Sequence, residues 1–524
     1  MGGLRSRDRK PPILVGMEQS YANPVIDADW PDPDAIRVGD DYIMVASSFG
    51  RTPGLPILRS SNLVDWRIVG HAVAELEPRG HFTLPRPGAG VGAWAPSIRF
   101  HDGTYYVVVP DPDHGVFVTT ATDPAGPWAT PRLLFAARGV IDPCPLWDDD
   151  GRAWLVHGWA ESRCEIGNRL DLLEVSPDLS EVLSPRRTLI DGDEIDGCHT
   201  LEGPKIYRDR GWYWIFAPAG GVATGWQYAF RATSLHGPWE HRIVMSQGDT
   251  AINGPHQGAW VTTAGGEDWF LHFQDRGPYG RVTHLQPMSW THDGWPVIGE
   301  PDATGTEGHP VTVSRTPDHL PRTIDRPATS DDFRHAQLGL QWTFPAIPPS
   351  DALELRGDGR VRLAYLPNDH GDVRALPQAL TQPIPGQAST TRVTLVADPH
   401  AVGRAGLLVL GAQSAWIGLE RAFDGEQMLV CRRTAPRATE TQLADPVPFA
   451  GDRVDLAVAV DANGGATFRW RGEGDWSDSS EVFPITAGRW VGAELALFAA
   501  APFGARQKPG AARFSGFAVV ETVS

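Results

Sequence analysis

Three carboxylates in this sequence stand in the same local setting. Asp32 precedes Pro33, Asp142 precedes Pro143, and Glu202 stands one residue ahead of Gly203-Pro204. Trp94 comes just before Ala95-Pro96, and His256 follows Gly254-Pro255. Gathered around a common axis, these would put three acids, an indole and an imidazole in one ring. Acids crowded in a concave site shift one another's pKa values and give folding nothing in return, so the ring points to function. One Asp-Pro or Glu-Gly step is ordinary turn chemistry; three in register are not. The chemistry that uses such a set is hydrolysis of a glycosidic bond. A protonated carboxyl gives its proton to the departing oxygen while an opposed carboxylate takes one from water. A third carboxylate beside the acid keeps that acid's pKa raised and orients it. Trp94 would offer its face to the sugar ring.

A repeat supplies the axis. Segments opening at Pro33, Pro96, Pro143, Pro204 and Pro255 each read as a short apolar strand, an Asp/Gly turn and a second strand rich in aromatic and β-branched residues. That is a hairpin signature. The second strands are anchored at Tyr42, Tyr105, Ala153, Trp212 and Trp269, which are 63, 48, 59 and 57 residues apart. A tryptophan past a turn follows most of them: Trp66, Trp128, Trp239 and Trp290. Such a residue would close an outer hairpin and pack between neighbouring sheets. Four short strands per unit at this period describe propeller blades. The expected fold class is therefore all-β, a five-bladed β-propeller.

The character then changes. Residues 306–330 are rich in Pro, Thr and Asp and read as a linker. From residue 331 to 524, short alternating strands separated by turn residues predict a β-sandwich of jelly-roll or concanavalin-like type. The expected organisation is an N-terminal tail over 1–20, the propeller over 21–305, the linker and the sandwich.

Composition narrows the partners. Among 524 residues, 46 basic and 64 acidic side chains leave a formal net charge of −18. That sign repels phosphate backbones, so nucleic acid is excluded as a partner. The 20 Trp, 19 Phe and 9 Tyr must be packed or put to use, which argues against disorder. Cys144, Cys164, Cys198 and Cys431 form no C-x-x-C pair, so neither structural zinc nor a disulfide framework is expected. No run of about 18 apolar residues crosses a membrane. The apolar stretch at 13–15 is too short for a signal peptide, and the expected location is the cytoplasm.

The blocks around the acids resemble glycoside hydrolase family 43. Asn23-Pro24 with Trp30-Pro31-Asp32-Pro33 and Ser47-Ser48-Phe49 is similar to the family's opening block, which holds the general base. Ile141-Asp142-Pro143 resembles the block of the pKa-modulating Asp, and Leu201-Glu202-Gly203-Pro204 the block of the general acid. The resemblance implies an inverting enzyme with Asp32 as base, Asp142 as modulator and Glu202 as acid, releasing β-xylosyl or α-L-arabinofuranosyl units from the ends of small oligosaccharides. Within it, Trp94 and Phe49 line the subsite of the cleaved sugar and Arg281 hydrogen-bonds that sugar. Trp30 and His199, flanking the base and acid blocks, are further expected contacts. The tail resembles the sandwich appended to many β-xylosidase-like members, one loop of which closes a side of the site. Residues 501–511, with Phe503, are the implied counterpart. No cofactor is required, although some members carry calcium near the axis supported by a histidine, and His256 fits that place. A homo-oligomer remains open. The sequence departs from the family at Asp27-Ala28-Asp29-Trp30 and at Asp34, which put extra acid near the base.

Two alternatives accompany this reading. One is a retaining fructan-type propeller glycosidase, whose middle motif carries an Arg where Ile141 stands here. The other is a non-catalytic carbohydrate-binding propeller.

Overall fold

Hairpin turns decide where each blade begins. In the second unit Asp102 and Gly103 both take positive φ, 46° and 76°, joining Ser97–His101 to Thr104–Asp111. Arg210 and Gly211 repeat this at 53° and 79° in the fourth. Two consecutive positive φ values give the turn whose twist matches paired strands, and Gly supplies the second without cost.

The computed structural model describes residues 19–367, 371–436, 439–478, 481–502 and 510–522. Its N-terminal part is a ring of five sheets, each holding four strands paired antiparallel in chain order. Their innermost strands are Asp34–Val38, Ser97–His101, Val140–Trp147, Lys205–Asp209 and His256–Thr262. This is the five-bladed propeller that the repeat predicts. Each seam between blades has its own apolar cluster. Trp66, Trp128, Trp239 and Trp290 all lie in seams.

The ring closes without a shared strand. Ser20–Ala22 pairs with Val313–Arg315, Ile26 bridges Thr283, and Asn23 Nδ2 donates to Leu285 O and Val311 O, both at 2.8 Å. The connecting stretch also carries Gly308–His309, which adds to the edge of the fourth blade.

Below the acids a buried ionic cluster ties inner strands together. Asp34 Oδ2 accepts from Arg99 at 2.7 Å and from the backbone of Ile98 at 2.8 Å. Lys205 Nζ donates to Pro96 O and Ser97 Oγ, both at 2.8 Å, with Asp34 3.8 Å away. Thus Asp34 stitches three blades.

The C-terminal part is two sheets facing one core. In Ser389–Val396 buried and partly exposed residues alternate along the strand, the pattern of a sheet with one face inward. The sandwich is sewn to the propeller through backbone bonds. Thr52 and Phe344 exchange two, at 3.0 and 2.7 Å. Gly386 N donates to Asp27 O and Ala493 N to Pro278 O, both at 2.8 Å. Arg51 forms a two-pronged ion pair with Glu494. Among the described residues no helix is long and apolar enough to cross a membrane.

Candidate active site

The inner strands present their starts to one end of the axis, and the residue before each opening proline sits there. Asp32, Asp142, Gly203 and Gly254 take positive φ, 54°, 55°, 61° and 48°. Gly203 and Gly254 accept this conformation readily. For the two aspartates it costs ~1–3 kcal/mol each, a strain that clusters at functional sites. Glu202 reaches the same end from one residue further back, leaving the turn to Gly203.

Asp32, Asp142 and Glu202 line one cavity of about 680 Å³, together with Phe49, Trp94, Arg281 and His256. Asp32 is held from two sides. Ser47 Oγ donates to Oδ2 at 2.5 Å and Arg281 donates to Oδ1 at 2.7 Å. Asp142 Oδ2 accepts the backbone N–H of Gly203 at 2.7 Å. That bond crosses from the third blade to the fourth and sets the two acids side by side.

Their protonation follows from burial. Glu202 is pushed up to about 8, by desolvation first and then by the charge of Asp142, with Arg281 opposing. Burial also raises Asp142, against the Gly203 N–H. A proton on either relieves the other. The N–H donor favours the carboxylate on Asp142, so the proton resides on Glu202. His256 Nε2 lies 3.4 Å from Glu202 Oε1. Burial, with Arg281 and His272 adding to it, lowers His256 to about 3, so the imidazole is neutral.

Calcium takes six to eight oxygen ligands. Among the described residues no three His, Cys, Asp or Glu side chains are placed to hold an ion, and His256 faces Glu202. His256, both of whose ring nitrogens are buried without a hydrogen-bond partner, is the residue the resemblance pairs with an axial calcium, and no step below runs through a metal.

The remaining expected contacts divide. Phe49 and Trp94 form a wall, their ring centroids 6.1 Å apart. Arg281 lines the cavity, but its guanidinium is already bonded to Asp32. Trp30 does not reach the cavity. It packs in the seam between the first and fifth blades and lines a separate space of about 200 Å³ at the domain boundary. His199 is also outside, exposed and edge-on to Trp226 with centroids 5.5 Å apart. Its neighbours Thr200 and Leu201 lead the chain inward instead. Phe503 falls outside the described residues.

The sandwich does reach the cavity, through Trp490. Its ring meets Trp94 edge-on at 4.6 Å and lies 6.3 Å from Phe49. Its backbone also takes positive φ, 64°, and it rests on Gly90, where an added Cβ would come within 2.3 Å of the indole. No local pattern marks this residue, because its role comes from a contact across nearly four hundred positions. Trp159 and Asn168 also line the cavity and carry no local signal in the sequence.

The comparisons with known proteins agree with this architecture. Residues 21–296 match the model for glycosyl hydrolases family 43, and residues 330–519 that for the β-xylosidase C-terminal concanavalin A-like domain. A β-xylosidase of Formosa agariphila is 29% identical over 91% of this chain and 87% of its own. A non-reducing end α-L-arabinofuranosidase of Bacteroides ovatus is 30% identical over 64% of each. The crystal structure of xylan β-1,4-xylosidase from Bacillus halodurans superposes with a TM-score of 0.82 at 25% identity, covering 95% of this chain and all of that one. These matches set aside the fructan-type and non-catalytic alternatives. The chain belongs to glycosyl hydrolase family 43, its propeller followed by that family's concanavalin A-like domain.

Proposed function

We propose that the protein is an exo-acting, inverting glycosidase that removes one β-xylosyl or α-L-arabinofuranosyl unit from a small oligosaccharide. The observation that carries this reading is the convergence of Asp32, Asp142 and Glu202 on a single cavity walled by Phe49, Trp94 and Trp490. Glu202, kept protonated by burial and by Asp142, gives its proton to the glycosidic oxygen as the bond to the anomeric carbon breaks. Asp32, its carboxylate held by Ser47 and Arg281, takes a proton from the water that attacks the opposite face. Water thus adds with inversion and no covalent sugar–enzyme intermediate forms. Asp142, anchored by Gly203, stays charged and keeps the acid's pKa high. The aromatic wall bounds the cavity on the sandwich side, which suits the end of a chain. The named activities of the similar proteins support pentosyl substrates.

Hydrolysis of nitrophenyl β-xyloside, α-L-arabinofuranoside and β-galactoside, with the released anomer followed by NMR, tests this. Pentosides cleaved with inversion are the expected result. Retention, or sugar binding without turnover by folded protein, would contradict it.

A further inference from the structure

Asp29 lies three residues before Asp32, and the reaction outlined above leaves it unused. Its carboxylate is nonetheless fully engaged. Oδ1 accepts the backbone N–H of Arg281 at 2.7 Å and Oδ2 accepts that of Gly492 at 2.9 Å. The first partner carries the guanidinium that holds Asp32. The second stands two residues after Trp490, the sandwich's contribution to the cavity wall. Gly280 makes room for the carboxylate, and Gly492 for the Gly280 backbone beside it. A Cβ on Gly280 would fall 2.1 Å from Asp29 Oδ1, and one on Gly492 would fall 2.7 Å from Gly280 N. The strand entry that bears Asp29 is itself fixed, since Trp30 N donates to Arg281 O at 2.9 Å. One side chain therefore spans the two parts of the site that come from different domains.

We propose that Asp29 is a positioning residue that couples the seating of the Trp490 loop to the backbone holding Arg281, and through Arg281 to Asp32. It rests on the function given above, with Asp32 as the group every turnover needs. Burial pushes Asp29 up to about 7 against the pull of these two N–H groups; in its ionised form, above that value, one carboxylate holds both at once, each charge-assisted bond roughly twice as strong as a neutral one. An amide of the same shape offers one acceptor oxygen and turns a donor towards the other N–H. Seating the sandwich loop then loses its link to the base.

The test uses the full chain and Asp29→Asn. Amide hydrogen exchange at both Gly492 and Arg281 should quicken relative to wild type, a readout that needs no activity. On nitrophenyl β-xyloside and on an unactivated xylo-disaccharide, kcat should fall by the same factor, about tenfold for one lost charge-assisted bond. KM should rise as the Trp490 wall loosens. Combined with Trp490→Ala, the losses should be less than multiplicative, because both substitutions release the same loop. Unchanged exchange at either amide, or kinetic losses that multiply, would overturn the coupling. If Asp29→Asn does not fold, Asp29→Ser, which keeps a single acceptor, is read in the same way. A wild-type protein that cleaves no pentoside would refute the proposed function instead, and the exchange result would still decide the coupling.

Discussion

The backbone N–H of Gly203 donates to Asp142 Oδ2 at 2.7 Å, so the residue that follows Glu202 in the chain fixes the carboxylate beside it. The two acids cannot move independently. Any shift of the fourth blade's inner strand changes both the place of Glu202 and the charge that raises its pKa.

Removing the proposed base should cost every substrate alike. Asp32→Ala is expected to lower kcat by at least ~10³-fold, the upper part of the range for acid–base groups, on activated and unactivated pentosides. Steady-state kinetics on both substrate types measures this. A variant that keeps a tenth of its activity on either one would contradict the role.

Glu202→Gln separates substrates by leaving group. A nitrophenolate departs with little help, so the loss there should be modest. The loss on a xylo-disaccharide, whose alkoxide must be protonated, should reach ~10²–10⁴-fold. Equal losses would argue against Glu202 as the acid.

The pH profile should follow the same group. Glu202 acts only when protonated, and it is pushed up to about 8, so kcat should hold through neutral pH and fall as pH rises through that value. Asp142→Asn removes a charge that raises Glu202 and should move the alkaline limb to lower pH. The linkage to stability has the matching sign. A carboxyl raised on folding contributes stability that is present below its unfolded value, ~4.3 for Glu, and is lost as pH rises through the folded one. Calorimetry should therefore show Tm declining across that window, with Glu202→Gln flattening the slope and raising Tm at its alkaline end.

Trp490→Ala should act on binding more than on chemistry. Truncating a packed aromatic anchor costs more than ~1 kcal/mol, so KM should rise about tenfold with a smaller change in kcat. Intrinsic fluorescence titration with xylose, which the indole would report directly, should lose most of its amplitude.

Arg99→Met addresses the cluster beneath the site. It would leave Asp34 fully buried with Lys205 still 3.8 Å away. Stripping one partner from a buried pair costs ~3–5 kcal/mol, and the remaining lysine should hold the loss near the lower end. Denaturant titration checks this, and a loss under ~1 kcal/mol would mean that Asp34 finds other partners.

Much of this molecule is legible without coordinates, because its signals are local and repeated. The Asp102-Gly103 turn, the tryptophans Trp66, Trp128, Trp239 and Trp290, and the opening prolines each depend on a few neighbouring residues. Repetition of one hairpin around an axis brings Asp32, Asp142 and Glu202 together whatever the details of packing. Trp30 and His199 show where proximity in sequence misleads. Each adjoins a block bearing one of the acids, yet a strand or turn sends successive side chains to different sides, so one neighbour lines the cavity and the next enters a seam or solvent. Trp490, Gly492 and the carboxylate of Asp29 depend on how a second domain is seated, through bonds between residues hundreds of positions apart. No spacing rule encodes such contacts; only the folded chain, with both domains in place, decides which indole lines the cavity and which backbone amides an extra acid will hold.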